Sequence, residues 1–161
     1  METSLLPPFS LAERNILITG ASSGIGRQIA IDCSRAGARV VAIGRDKERL
    51  SETLGMLEGD GHHCYSYDLA DVDGIGRLVA DIVNDCGRID GLVCAAGIEK
   101  TLPAKILKPT DYGEVFKVNT MSALEMARQV TNAKNWETGM GGGNLHHIHN
   151  RHYRKSRHSC I

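Results

Sequence analysis

Short apolar runs alternate with stretches of helical period along most of this chain. Residues 16–18, Ile-Leu-Ile, form the continuous apolar run of a buried strand. Ile25, Ile29 and Cys33 then recur four apart, which predicts a helix with those three on its inner face, and Gly37 supplies its end. Residues 39–43 hold a second strand, and 46–57 a second helix with Leu50, Leu54 and Leu57 on one side. A weaker strand follows at 64–67. The segment 71–86 carries the best helical pattern, because Ile75, Leu78, Val79, Ile82 and Val83 share one face and Asp71 suits an N-cap. Residues 92–94 make a fourth strand. A loop with Pro103 and Pro109 leads from it into a long helix from about 111 to 133, its first turn weakened by Gly113.

Strands alternating with helices of this length imply an α/β fold, a doubly wound parallel sheet covered on both faces. The chain has 161 residues, enough for one domain with a real core, and no internal repeat. Its formal charge of zero argues against a whole-protein field for nucleic acid or an anionic membrane, and no stretch approaches a transmembrane span. Residues 1–10 contain Glu2 and two prolines, without the basic and apolar regions of a signal peptide. The five cysteines (Cys33, Cys64, Cys86, Cys94, Cys160) are odd in number and widely spaced, without a C-x-x-C. Four fall in predicted helices or strands, where a free cysteine behaves as a small apolar side chain. A reducing, cytoplasmic setting is expected.

The densest chemistry lies at residues 19–26, Thr-Gly-Ala-Ser-Ser-Gly-Ile-Gly, between the first strand and the first helix. Gly24 and Gly26 let backbone approach a diphosphate, Ser22 and Ser23 add hydroxyl donors, and a helix N-terminus follows. Gly44-Arg45 closes the second strand. An acidic residue there would accept bonds from the ribose hydroxyls of NAD, whereas Arg45 offers a charged planar fork to a 2′-phosphate, which favours NADP over NAD. The competing reading leaves Arg45 solvated at a helix start, with Asp46 taking the ribose.

The spacing G-x-x-x-G-x-G led by Thr19 resembles the short-chain dehydrogenase/reductase family, and the resemblance covers about residues 9–138. It implies a Rossmann domain in which Gly20, Ser22, Ser23, Gly24, Ile25 and Gly26 hold the diphosphate and Asp68 and Leu69 contact the adenine. Cys94-Ala95-Ala96-Gly97 stands where that family usually has Asn-Asn-Ala-Gly. Ala96 and Gly97 still leave room for the adenosine half of the cofactor, but the sheet-bracing asparagines are missing. Asn119 matches the helix asparagine that orders a water in the family's proton relay; Asn is unfavourable inside a helix. The resemblance further implies an oxidoreductase that interconverts a carbonyl and a secondary alcohol of a small molecule, 3-oxoacyl groups being one substrate class, working as a homo-oligomer. It implies a Ser, a Tyr and a Lys in catalysis as well. None of the three can be matched: Tyr153 is followed four residues later by Arg157.

From about residue 137 the text changes. Five of the seven histidines lie between His146 and His158, basic residues crowd the end, and no acidic residue follows Glu137. With every codon shifted by one base, residues 147–161 decode, with one following base and under one permitted codon choice, as IISIIGIIGKAGIPVY, His146 supplying the first Ile. That string resembles the family's fifth strand and the segment after it, with the family's Ser-to-Tyr spacing, and the slip falls beside the glycines at 141–143. The expectation is a Rossmann part at residues 1–138, truncated after the fourth strand and long helix, followed by an out-of-frame tail at 139–161. Competing readings are a metal site on His146, His147, His149 and His152, or a basic nucleic-acid-binding tail; the expected chain binds neither metal, nucleic acid nor membrane. Two further alternatives are a non-catalytic nucleotide-binding remnant and a frameshift product without function.

Overall fold

The computed structural model describes residues 10–132. Four parallel strands, β1 (Asn15–Thr19), β2 (Arg39–Gly44), β3 (His63–Ser66) and β4 (Gly91–Cys94), form one sheet in the order β3-β2-β1-β4. The chain builds outward from β1 to β3, then crosses to the other side of β1 for β4. The crevice at the carboxyl ends of β1 and β4 is therefore a topological switch point, where open sheets of this kind bind ligands.

Alternation along the two central strands explains the two layers. Leu17, Val41 and Ile43 point to one face with Leu92 and pack on α3 (Ile75–Cys86) and α5 (Ser122–Val130) through Leu78, Val79, Ile82, Met126 and Val130. Ile16, Ile18, Val40 and Ala42 point to the other face and meet Ala30 of α1 (Gly24–Arg35) and Leu50 of α2 (Lys47–Leu54). The doubly wound parallel sheet expected from the sequence is present.

Several details differ from the sequence reading. In α1 the buried positions are Gly26, Ala30 and Ser34, while Ile25 is 77% exposed and Ile29 and Cys33 lie at the margin. The cause is close packing: a Cβ on Gly26 would collide with the carbonyl of Gly20, so the helix must turn its smallest residue to the turn behind it. Helix α3 begins at Ile75 with Gly74 as N-cap; the Asp71 carboxylate accepts from Gly74 N at 3.3 Å but caps no helix residue. Cys64 and Cys94 are exposed rather than core, since β3 and β4 are the outer strands of the described sheet.

The long helix is three pieces: α4 (Pro109–Phe116), a π-helical turn at Lys117–Met121, and α5. Pro109 opens α4 as its first residue, where the missing N–H is no loss. Val118, Met121, Leu124, Ala127 and Val130, spaced three apart as one apolar stripe of a continuous helix, do not share a face. The wider π turn shifts the phase, burying Val118, Ser122, Met126 and Val130 at a spacing of four, and leaving Met121 and Leu124 exposed beside Phe116. Among the described residues, no helix is long and apolar enough to cross a membrane. The histidine-rich segment and Cys160 lie outside the described residues.

Candidate functional site

The turn between β1 and α1 is shaped by what a side chain would strike. Gly20 has φ +70°, and a Cβ there would stand 2.7 Å from Ala96 N and 2.8 Å from the Ala95 carbonyl carbon. Only glycine lets the first turn lie against the loop leaving β4. Thr19 fixes the same approach from the strand side, its Oγ1 accepting the Ala96 N–H at 3.2 Å. That bond bridges the two strand ends where the sequence lacks the asparagines that would brace them.

Gly24 is the opposite case. Its φ is +56°, yet a Cβ would meet nothing within 4 Å, so the space above the turn is open. Helix α1 starts at that point. Its N-cap Ser23 makes no side-chain cap bond and no acidic residue occupies the first turn, so the positive helix end faces the open space uncapped. Ser23, Gly24 and Ile25 are exposed, and Ser22 is half-buried against Gly44: a Cβ on that glycine would stand 3.1 Å from Ser22 Cβ. A dinucleotide diphosphate fits this bare cradle of amides and hydroxyls.

Arg45 follows β2 directly and is exposed, and its side chain enters no ion pair among the described residues; its carbonyl accepts from Ser66 Oγ at 3.0 Å. Since Thr19 and Ile43 are register partners, the glycine turn and Arg45 leave neighbouring strand ends. Asp68 is exposed beyond β3, with Oδ1 accepting from Ala70 N at 3.0 Å. Leu69 lies apart from the others, its side chain buried in the core with Ile75 and Ile89.

Asn119 sits in the π turn and reaches across to the loop after β4. Its Oδ1 accepts from Ile98 N at 2.8 Å and its Nδ2 donates to Ile98 O at 2.9 Å. A Cβ added to Gly97 would stand 3.5 Å from Asn119 Oδ1, an ordinary contact. The loop continues to Lys100, whose Nζ pairs with Asp111 at 3.0 Å and Glu114 at 2.7 Å on α4. These bonds hold the Lys100 ammonium above its ordinary range. The bond from Lys108 N, ahead of that from Lys100, holds the Asp111 carboxyl below its own. Gly20, Ser22, Arg45, Ala96, Gly97 and Asn119 thus gather at the carboxyl end of the sheet.

The sequence reading missed two residues on the far side of the turn. Thr53, fully buried in α2, has Oγ1 2.9 Å from both Ala21 O and Arg49 O. Arg27 Nη2 lies 2.6 Å from Ser22 O, 3.2 Å from Glu52 Oε2 and 3.3 Å from Arg49 O. A β-branched hydroxyl on the inner side of an otherwise leucine-lined helix was the available signal for Thr53.

A sequence model described as short chain dehydrogenase matches residues 14–143. Among curated proteins, glucose 1-dehydrogenase of Gluconobacter oxydans is 34% identical over 74% of this chain and 46% of its own. Among solved structures, 2-keto-3-deoxy-D-gluconate dehydrogenase from Streptococcus agalactiae superposes with a TM-score of 0.68 at 33% identity, covering 81% of this chain and 50% of that one. A structure from Beutenbergia cavernae, described as an NAD(P)-dependent gluconate 5-dehydrogenase with NADP bound at low occupancy, gives 0.68 at 38% identity, over 76% and 49%. The chain spans about half the length of the curated relatives it matches.

Proposed function

The chain belongs to the short chain dehydrogenase family, and from that membership we propose that it is the nucleotide-binding part of an NADP(H)-dependent oxidoreductase interconverting a carbonyl and a secondary alcohol on a small molecule. The observation that carries the reading is the uncapped N-terminus of α1 under the open space at Gly24, on the strand end next to exposed Arg45. When bound, the nicotinamide cofactor supplies the hydride chemistry.

This chain's residues bind and orient. The amides at Ser22 to Gly26, with the hydroxyls of Ser22 and Ser23, receive the diphosphate; Gly20 and Gly26 keep turn, helix and β4 loop close enough for one cradle. Arg45 gives a bidentate, permanently charged contact to a 2′-phosphate. Asp68 and the Leu69 backbone flank the adenine, and Ala96 and Gly97 leave room for the adenosine half. Asn119 acts by position, fixing the Ile98 backbone at the crevice. Self-association through the exposed face at Phe116, Met121 and Leu124 belongs to the same reading.

No tyrosine of the 161 residues is followed four positions later by a lysine. That supports a second reading, a nucleotide-binding chain that performs no hydride transfer as written, since general acid–base groups typically contribute about 10²–10⁴-fold. Calorimetric titration of the full chain tests the binding core of both. NADPH is expected to bind more tightly than NADH, and Arg45→Asp to reverse the order. Equal dissociation constants for the two before and after the change overturn the NADP assignment, and turnover of a ketone panel with NADPH overturns the non-catalytic reading.

A further inference from the structure

The glycine turn presents amides to the crevice, yet nothing in the turn itself dictates which way its peptide planes face. Glycine-rich backbone has many orientations open to it, and Ser23 and Gly24 are exposed, with few neighbours to choose among them. The choice is made from behind, by Thr53 of α2 and by Arg27 of α1. In a trans peptide the carbonyl and the following N–H point in opposite directions, and the described chain has no cis bond. The Ala21 carbonyl is taken by the Thr53 hydroxyl inside the protein, so the Ser22 N–H of the same plane points away from α2. The Ser22 carbonyl is taken by the Arg27 guanidinium, so the Ser23 N–H points away likewise. Ala21 N, by contrast, donates inward to Ile43 O at 3.1 Å. The reversal from inward to outward amides falls between Ala21 and Ser22, where the two grips begin.

The two grips are coupled through Arg49. Thr53 has one hydroxyl proton and two carbonyls at 2.9 Å, those of Ala21 and Arg49. Arg27 Nη2 has two protons for three acceptors, Ser22 O at 2.6 Å, Glu52 Oε2 at 3.2 Å and Arg49 O at 3.3 Å, and whatever share Arg49 O takes frees the Thr53 proton for Ala21. Glu52, paired with the same nitrogen at 3.2 Å, keeps the guanidinium over α2. The Arg27 Nε is buried without a partner among the described residues, so the side chain is held by one end only, the end that touches Ser22.

We propose that Arg27 and Thr53 are positioning residues that preset the glycine turn for a dinucleotide diphosphate, acting on the ligand through the peptide planes of Ala21 and Ser22. The inference rests on the nucleotide-binding reading. If the planes lose their hold, the outward-facing state becomes one of several, and the dissociation constant rises by the reciprocal of its population.

The test uses the full chain, with NADPH and adenosine 2′-monophosphate as probes, the second lacking the diphosphate. Thr53→Val keeps the shape and removes the donor, and it is expected to weaken NADPH about tenfold while leaving adenosine 2′-monophosphate unchanged. Thr53→Ser is expected to restore NADPH affinity. Arg27→Met should weaken NADPH to a similar degree, and Arg27→Lys should recover part of the loss, because one ammonium can still reach Ser22 O. The Arg27 pair reads the same grip from its exposed side should Thr53→Val fail to fold. Variants with wild-type circular dichroism that bind NADPH as tightly as wild type overturn the inference, as does equal weakening of both probes, which marks general loosening. Binding of neither NADPH nor NADH by the wild type overturns the nucleotide reading itself, and the inference with it.

Discussion

Asn119 and Ile98 form a closed pair in which one side-chain amide satisfies both backbone groups of one residue, at 2.8 and 2.9 Å. The amide copies the hydrogen bonding of a neighbouring strand, and the loop after β4 gains a partner without gaining a strand. The π turn lets a helix present that amide, because it rotates residue 119 off the face that Val118 and Ser122 bury.

Asn119→Ala removes both bonds at an exposed site and is expected to lower unfolding stability by about 1–2 kcal/mol, two ordinary hydrogen bonds' worth. Urea denaturation reads it directly. A midpoint unchanged from wild type would mean water replaces the amide at no loss, and the pair does not hold the loop.

Gly26→Ala and Gly24→Ala separate two uses of glycine. At Gly26 a Cβ collides with the Gly20 carbonyl, and α1 must retreat from the turn, at an expected loss of roughly 2–4 kcal/mol. At Gly24 the space is open, and only the positive φ resists, for about 1 kcal/mol. Thermal unfolding of the two variants side by side is the measurement, and the reverse order would contradict the packing of α1 described above.

Alkaline pH should destabilise the fold through two tyrosines. Burial, with the bond to Asp71, pushes the Tyr67 phenol up to about 12; burial, with contacts to Cys86 and Asp85, raises Tyr65 also. Above the ordinary tyrosine value near 10 the unfolded chain releases these protons while the folded chain keeps them. The folded state then binds more protons, so stability falls as pH rises from about 10 through 12. Unfolding temperatures measured across that range should decline less in a Tyr65→Phe, Tyr67→Phe double variant, and identical slopes would rule the tyrosines out.

Much of this was legible in the chain because it is local. Ile16 to Ile18 read as a buried strand, Gly20 to Gly26 as its turn, and Asp46 starts α2 as its N-cap, accepting from Arg49 N at 3.1 Å. What could not be read depends on partners far along the sequence. Ile25 fits the helical period with Ile29 and Cys33, but contact with Gly20 decides which side of α1 turns inward. The inserted residue of the π turn cannot be heard in an apolar rhythm, and a stripe through Met121 and Leu124, which the period of an unbroken helix suggests, falls one phase off the buried face. The site followed the same division. In the candidate site the glycines and Arg45 can be named by type and place, whereas the bonds of Thr53 to Ala21 O and of Arg27 to Ser22 O depend on how α2 and α1 fold back around the turn.

The place of β1 between β2 and β4 also has a kinetic meaning. Its pairing with β2 joins Asn15 to Arg39, 24 positions on, but its pairing with β4 joins Ile16 to Gly91, 75 positions on. Closing the longer loop costs about 1 kcal/mol more in chain entropy. We expect the early nucleus to contain β1, α1, β2 and α2, hence the glycine turn with both of its grips, while the wall that Ala95 and Ala96 build against Gly20 arrives late. Pulse-labelled hydrogen exchange should find the amides of Val41 and Ile43 protected ahead of those of Leu92 and Val93; simultaneous protection would sink the order. On the proposed function, a nucleotide added during refolding would then meet a half-built pocket, able to grip phosphate before it can enclose the adenosine.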